Sequence, residues 1–177
     1  MPDKIKTALT DEECTVLASL ASGKIVLELG SQYGASTICM AATAKQVHSV
    51  DWHWGDAYAG FNGDTLPEMR RNLVSHKTVG VFDRDELIIC HVGKFQDVLP
   101  MLREESFDLI FVDGSHAAKD VEGDIRLASP LLAQEGVWVF HDYGVFPGVA
   151  LGMKAVLGQP SEIRGTLAIV YAAGTRR

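Results

Sequence analysis

Five short apolar runs, each ending at or near a glycine or an acidic residue, constrain this chain more than any other feature. They read KIVLELG, QVHSVDW, ELIICHVG, FDLIFVDG and GVWVFHDYG, beginning at Lys24, Gln46, Glu86, Phe107 and Gly136. A short, nearly continuous apolar run is the form of a strand buried on both faces, as in a parallel sheet. Between the runs lie ASTICMAATAK, TLPEMRRNLVSHK, FQDVLPMLRE and AKDVEGDIRLASPLLAQ, which have the length and spacing of helices. Strands alternating with helices imply right-handed βαβ crossovers and an open sheet covered on both sides. The expected fold is α/β, Rossmann-like and doubly wound.

The two ends complete that picture. In LTDEECTVLASLASG, Thr10 with Glu13 three residues on forms a capping-box pattern, and Gly23 closes the predicted helix. Near the C-terminus GVALGMKAVLG reads as a helix and SEIRGTLAIVYAAG as two short strands meeting around Gly165. The sheet is therefore expected to have seven strands, mostly parallel, with one antiparallel C-terminal strand. At 177 residues the chain suits a single domain over 1–177. The glycine- and aromatic-rich stretch WGDAYAGFNGD, Trp54 to Asp64, reads as a loop above the strand ends that could act as a lid.

A net charge of -7 argues against capture of nucleic acid or an anionic membrane and favours a small-molecule substrate. No stretch approaches the roughly 18 apolar residues of a membrane span, and MPDKIKTALTDEE lacks a signal-peptide core. A cytoplasmic location is the expectation. Cys14, Cys39 and Cys90 show no CxxC spacing and lie in apolar segments, so they read as small buried hydrophobes rather than disulfide partners or zinc ligands.

In open α/β sheets ligands bind beyond the carboxyl ends of the strands. The first such end, ELGSQYGAS, offers Gly30 and Gly34 for a tight turn that exposes backbone N–H groups. It is not GxGxxG, which disfavours a dinucleotide. Asp51 follows Gly30 by twenty-one residues and ends the second strand, where a carboxylate accepts from ribose hydroxyls. Each of these residues alone fits a plain turn or cap equally well, but their order favours a nucleoside without a pyrophosphate. Asp113 and Asp142 end neighbouring strands, so their carboxylates can converge, and His141 adds a third donor. Read locally, Asp113 in FVDGSHAAKD could be a ligand, a base or a helix cap.

The E-x-G-x-x-x-G of Glu28, Gly30 and Gly34, the acidic Asp51 and the paired FVDGSH and FHDYG resemble class I S-adenosylmethionine-dependent methyltransferases. The resemblance runs from about Thr10 to Tyr171. The D-G-x-H string, a later Asp124 and the HD pair resemble the branch of cephalosporin and macrolide-sugar O-methyltransferases, and more distantly the catechol type.

The resemblance implies S-adenosylmethionine as cofactor. Glu28, Gly30, Ser31 and Gly34 would lie along its methionine portion, with Ser36 a donor to the carboxylate. Asp51 would take the ribose, Trp52 would lie against the adenine, and Lys94 and Phe95 would border it. Core packing is an equally ready account of Trp52. Asp113, His141 and Asp142 would face a divalent metal, magnesium or manganese. Magnesium-using relatives carry a carboxylate pair or Asp-Asn where this chain has His141-Asp142, and imidazole suits magnesium poorly. His116 stands where such enzymes keep a His or Lys base, with Asp113 beside it in the catalytic group.

The implied reaction is methyl transfer to the hydroxyl of a small sugar, polyol or phenol. The competing reading is an S-adenosylmethionine-binding domain that acts as a sensor or subunit without catalysis. Relatives of this kind complete their pockets with a neighbouring subunit, so a homo-oligomer is expected. His48 and His91 read as hydrogen-bonded core residues and His76 as a helix-end residue, with His53 undecided. Asp124 reads as structural, and Asp108 and Asp120 as solvated or capping.

Overall fold

The computed structural model describes residues 5–58, 60–76, 87–104 and 106–172. Among the described residues six helices, α1 (Asp11–Ala21), α2 (Ala35–Ala41), α3 (Leu66–Ser75), α4 (Phe95–Val98), α5 (Ala118–Ala128) and α6 (Pro147–Leu157), alternate with the strands. The main sheet contains β1 (Ile25–Leu29), β2 (Gln46–Asp51), β5 (Ile88–Val92), β6 (Phe107–Val112), β7 (Leu132–Phe140), β8 (Glu162–Arg164) and β9 (Leu167–Tyr171). Its order is β5-β2-β1-β6-β7-β9-β8, and only β9 runs against the rest. A two-residue hairpin, β3 (Gly55–Asp56) with β4 (Phe61–Asn62), stands apart in the stretch expected to form a loop. The strand order reverses at β1, placing the ends of β1 and β6 side by side as a ligand crevice requires.

Side-chain alternation along the strands builds two apolar layers. Leu27, Ile110, Trp138 and Phe140 face Val121, Ile125, Val149 and Met153 of α5 and α6. Val26, Leu109, Phe111 and Val139 face Leu17 of α1 and Met40 of α2. Among the described residues no helix is long and apolar enough to cross a membrane.

Prolines account for two departures from expectation. The helix expected from Ala118 to Gln134 stops at Ala128, and a 3-10 turn around Pro130 leads into β7 from Leu132. Pro100 likewise restricts α4 to four residues before a 3-10 turn over Leu99–Met101. A proline cannot donate to the helical ladder and clashes with the preceding turn. Lys77 and Glu86, included in the expected third helix and third strand, lie outside the described residues.

The capping box of α1 forms as expected: Thr10 Oγ1 accepts from the Glu13 N–H, and Glu13 Oε2 accepts from the Thr10 N–H. Glu13 Oε1 also accepts from the N–H and hydroxyl of Thr166, both at 2.7 Å. Burial opposes the charge of Glu13, but these donors win and hold its carboxyl down to about 2. One side chain thus joins the first helix to the turn of the last hairpin.

The reading of the cysteines is corrected. Cys14 of α1 and Cys39 of α2 form a disulfide, their Cα atoms 5.4 Å apart, while Cys90 is free and exposed. Helix packing across an intervening strand brings them together over a separation of 25 residues. Closing a loop of that length restricts the unfolded chain, worth about 3 kcal/mol. Calorimetry with and without a phosphine reductant should show a melting temperature lower by roughly 6–10 °C on reduction; an unchanged transition would show that the bridge carries no stability.

Candidate active site

A cavity of about 960 Å³ opens at the carboxyl ends of β1, β2, β5, β6 and β7. That is at the upper end for a small-molecule site and leaves room for a cofactor together with an acceptor. Gly30, Ser31, Asp51, Trp52, Lys94, Phe95, Asp113, His116, His141 and Asp142 all lie on its wall. The structure thus brings together most of the residues singled out in the sequence.

The glycine loop is shaped by its neighbours. Gly30 has φ +92, and a Cβ there would come within 2.3 Å of the Asp113 carbonyl oxygen, so only glycine lets β1 and β6 end this closely. Asp51 Oδ2 accepts from the N–H groups of Ser31 and Gln32 at 2.9 and 2.8 Å, and Oδ1 accepts from the N–H of His53 at 2.6 Å. Asp51 therefore holds the loop, and with its remaining lone pairs it still borders the cavity.

Glu28 and Ser36 differ from expectation. Glu28 is fully buried beneath the loop and is not on the cavity wall. It accepts from the hydroxyls of Ser36 and Thr37, both at 2.5 Å, so the Ser36 hydroxyl serves Glu28 although Ser36 borders the cavity. Burial pushes the Glu28 carboxyl up to about 7 against the pull of these hydroxyls.

Trp52 is no core residue: it is 42% exposed, its Nε1–H donates to the Gly55 carbonyl at 2.9 Å, and Lys94 Nζ lies 5.3 Å from the ring centre. Gln96 joins this wall beside Phe95. Sequence reasoning missed it, though its place one residue after Phe95 in HVGKFQ was a usable signal. Asp124 lines the same cavity, and burial first, then Asp120, raises its carboxyl to about 7.

The acidic strand ends meet around two imidazoles. The buried His141 places Nδ1 at 3.2 Å from Asp113 Oδ1 and 3.4 Å from Asp142 Oδ2, with Nε2 3.9 Å from Glu13 Oε2. Burial opposes the charge on His141, but hydrogen bonds and attraction from Asp113 and Asp142 raise it to about 10. In this arrangement His141 is a cation. Asp142 is held well below the usual carboxylate range: burial works against it, and His116 and His141 outweigh burial.

His116 lies two residues before α5, and its side chain is only 12% exposed. Ser115, not Asp113, sits at the helix entry, donating its hydroxyl to Asp120 at 2.8 Å. The His116 ring has Nε2 2.9 Å from Asp142 Oδ2 and Nδ1 2.7 Å from Asp56 Oδ2, with the Phe146 ring 4.3 Å away. Burial opposes its charge, but Asp142 and Asp56, then Asp113, raise its pKa above the ordinary value. A Cβ on Gly148 would come within 2.2 Å of the His116 carbonyl oxygen, so the start of α6 is packed directly behind this residue.

The other histidines are structural. His48 and His91 stack with ring nitrogens 3.1 Å apart, His53 Nδ1 meets the Thr65 hydroxyl at 2.8 Å, and His76 Nδ1 meets the Asn72 carbonyl at 2.8 Å. Asp108 accepts from the Ile25 N–H at 2.8 Å, tying β6 to the start of β1.

Folding keeps a proton on His141 that the unfolded chain releases near its ordinary value of 6.5. The stabilisation is complete below that value and is lost as pH rises through about 10. Unfolding midpoints measured across this range should fall with rising pH, and His141→Gln should flatten that slope. An equally steep slope in the variant would place the titration elsewhere.

A family model described as a methyltransferase domain matches residues 27–143. An uncharacterised protein of Sinorhizobium fredii is 31% identical over 155 residues, covering 84% of this chain and 16% of that protein. A protein of Mycobacteroides abscessus, named provisionally as an O-methyltransferase, is 27% identical over 155 residues, covering 83% of this chain and 59% of its own length. The chain thus spans only part of the length of both relatives. Among solved structures, the O-methyltransferase NovP matches with a TM-score of 0.69 at 16% identity, covering 94% of this chain and 81% of that one. The matched stretch contains the glycine loop, Asp51, the Asp113–His116 turn and Asp142. The chain belongs to the methyltransferase-domain family.

Proposed function

We propose that the protein transfers the methyl group of S-adenosylmethionine to a hydroxyl of a small sugar, polyol or phenol. The observation that carries this reading is His116, an imidazole held by carboxylates at the wall of a cavity whose opposite side has the features of a nucleoside site. Among the described residues six aspartates line the cavity, Asp51, Asp56, Asp113, Asp120, Asp124 and Asp142, against the lysines Lys6, Lys94 and Lys119. Such a wall suits a sulfonium cation.

In the reaction the hydroxyl oxygen attacks the methyl carbon, the carbon–sulfur bond breaks with its electrons going to sulfur, and the hydroxyl proton passes to His116. A hydroxyl is too weak an acid to react well without a base, and histidine suits that work near neutrality. With a carboxylate on each ring nitrogen, His116 has the contacts of the protonated base, the state that follows proton transfer. Asp51 would take the ribose, and Trp52, Lys94 and Phe95 would border the adenine.

Asp113, His141 and Asp142 offer one ligand atom each, all within 4.8 Å of one another. Two carboxylates with an imidazole suit manganese, iron or zinc better than magnesium, and His141 must shed its proton to serve. An ion held there would lower the pKa of the acceptor hydroxyl.

Calorimetric titration with S-adenosylmethionine should show one site, and Asp51→Ala should weaken it by about tenfold or more, through lost hydrogen bonds to a charged group and a loosened glycine loop. His116→Ala should keep that binding and lose transfer of labelled methyl to a panel of sugars and phenols. Failure to bind the cofactor would contradict the reading, and binding without transfer to any acceptor would favour a sensor. Titration with manganese should release protons and be abolished by Asp142→Ala, whereas magnesium should give no heat; the reverse preference would contradict the assigned donor set.

A further inference from the structure

Asp56 lies 60 residues before His116, in the hairpin stretch above the strand ends, and no motif pointed to it. Its two carboxylate oxygens do different things. Oδ1 accepts from the N–H of Tyr58 at 2.8 Å, which fixes the carboxylate within its own turn. Oδ2 reaches across to His116, 2.7 Å from Nδ1 and 3.2 Å from the backbone N–H.

The stretch does not depend on that contact for its place. The Trp52 indole donates to the Gly55 carbonyl at 2.9 Å, Gly55 and Asp56 pair with Asn62 and Phe61, and the Phe61 ring meets Tyr33 edge-on at 6.1 Å. A mere anchor would be redundant. With a carboxylate at each nitrogen the ring as it stands is an imidazolium. Of the two partners Asp56 is the nearer, at 2.7 against 2.9 Å, and also accepts the His116 backbone N–H, whereas the same Asp142 oxygen is shared with His141, so Nε2 is the nitrogen that gives up its proton when the ring is neutral. Nε2 points the other way, to Asp142 at the centre of the strand ends.

We propose that Asp56 is the positioning residue for His116: it accepts the Nδ1–H and leaves Nε2 as the nitrogen that takes the acceptor's proton. This rests on the methyl-transfer reading above. The logic is that of a base oriented by a third group, in which the carboxylate sets the tautomer and stabilises the imidazolium that forms. As the oxygen–methyl bond forms and the carbon–sulfur bond breaks, the hydroxyl proton moves to Nε2 while the Nδ1 proton stays with Asp56. Because Asp56 sits on the hairpin stretch, the base is complete only while that stretch is docked.

The test uses the whole chain with ¹⁵N-labelled histidine, saturated with S-adenosylhomocysteine and observed by NMR in alkaline solution, where the ring is neutral. The neutral ring of His116 should carry its proton on Nδ1 in the unmodified protein and on Nε2 in Asp56→Ala. Asp56→Asn, whose amide oxygen still accepts, should restore the Nδ1–H form. Both variants are observed at saturating S-adenosylhomocysteine, so that the tautomer is read in the complex in each case. A ring protonated on Nε2 in the unmodified protein, or on Nδ1 in Asp56→Ala, would overturn the role of Asp56 while leaving cofactor binding intact. Absence of S-adenosylhomocysteine binding in the unmodified protein would instead overturn the methyl-transfer reading, and the role of Asp56 with it.

Discussion

The positive charge of His141, buried at the carboxyl end of β7, is the interaction on which this site depends. Asp113 and Asp142 converge on its Nδ1, and Glu13 from α1 lies near its Nε2. Without that charge, carboxylates from the ends of β6 and β7 would face one another in a setting where like charges repel strongly. With it, they hold fixed positions, and a single oxygen of Asp142, Oδ2, faces both His141 and His116. The acidic edge of the cavity is thus organised from inside the protein. Glu13 extends the arrangement to the last hairpin through Thr166, so the first helix, the central strand ends and the chain's final turn share one charged cluster.

Around this cluster the backbone is set in place rather than left to adapt. Gln32, His53 and Asp142 have φ of 45, 62 and 58 degrees, unusual for residues with a side chain. All three lie just beyond strand ends at or beside the cavity, where strained backbone is commonly held by its surroundings. Asp51 supplies that hold for Gln32 and His53 by accepting from both backbone N–H groups. The chain at His116 is fixed in turn by the close approach of Gly148 in α6. Preorganisation of this kind leaves little to rearrange when a proton moves.

What the sequence made legible was what local pattern encodes. Apolar runs ending at Asp51, Asp113 and Asp142 gave the strand ends, and strand ends locate the cavity in an open α/β sheet. The capping box at Thr10 was readable because it is contained in four residues. Features that depend on long-range packing were not: the Cys14–Cys39 bridge, the enclosure of Glu28 by Ser36 and Thr37, and the reach of Asp56 to His116. The helix boundaries at Pro100 and Pro130 belong to a different group, since proline is itself a local signal although the helical spacing of apolar residues continues past it. His141 shows the limit most clearly. Its residue type suggested a metal ligand, and its ring does stand with the two carboxylates as a candidate donor set; that the same carboxylates hold a proton on it was not readable from residue type.

A crystal structure of the complex with S-adenosylhomocysteine tests the central claim most directly. The ribose is expected on Asp51, the adenine between Trp52 and Phe95, and the sulfur turned toward the His116–Asp142 side of the cavity with an open path for a hydroxyl between them. A nucleoside bound away from Asp51, or a sulfur turned away from His116, would contradict it.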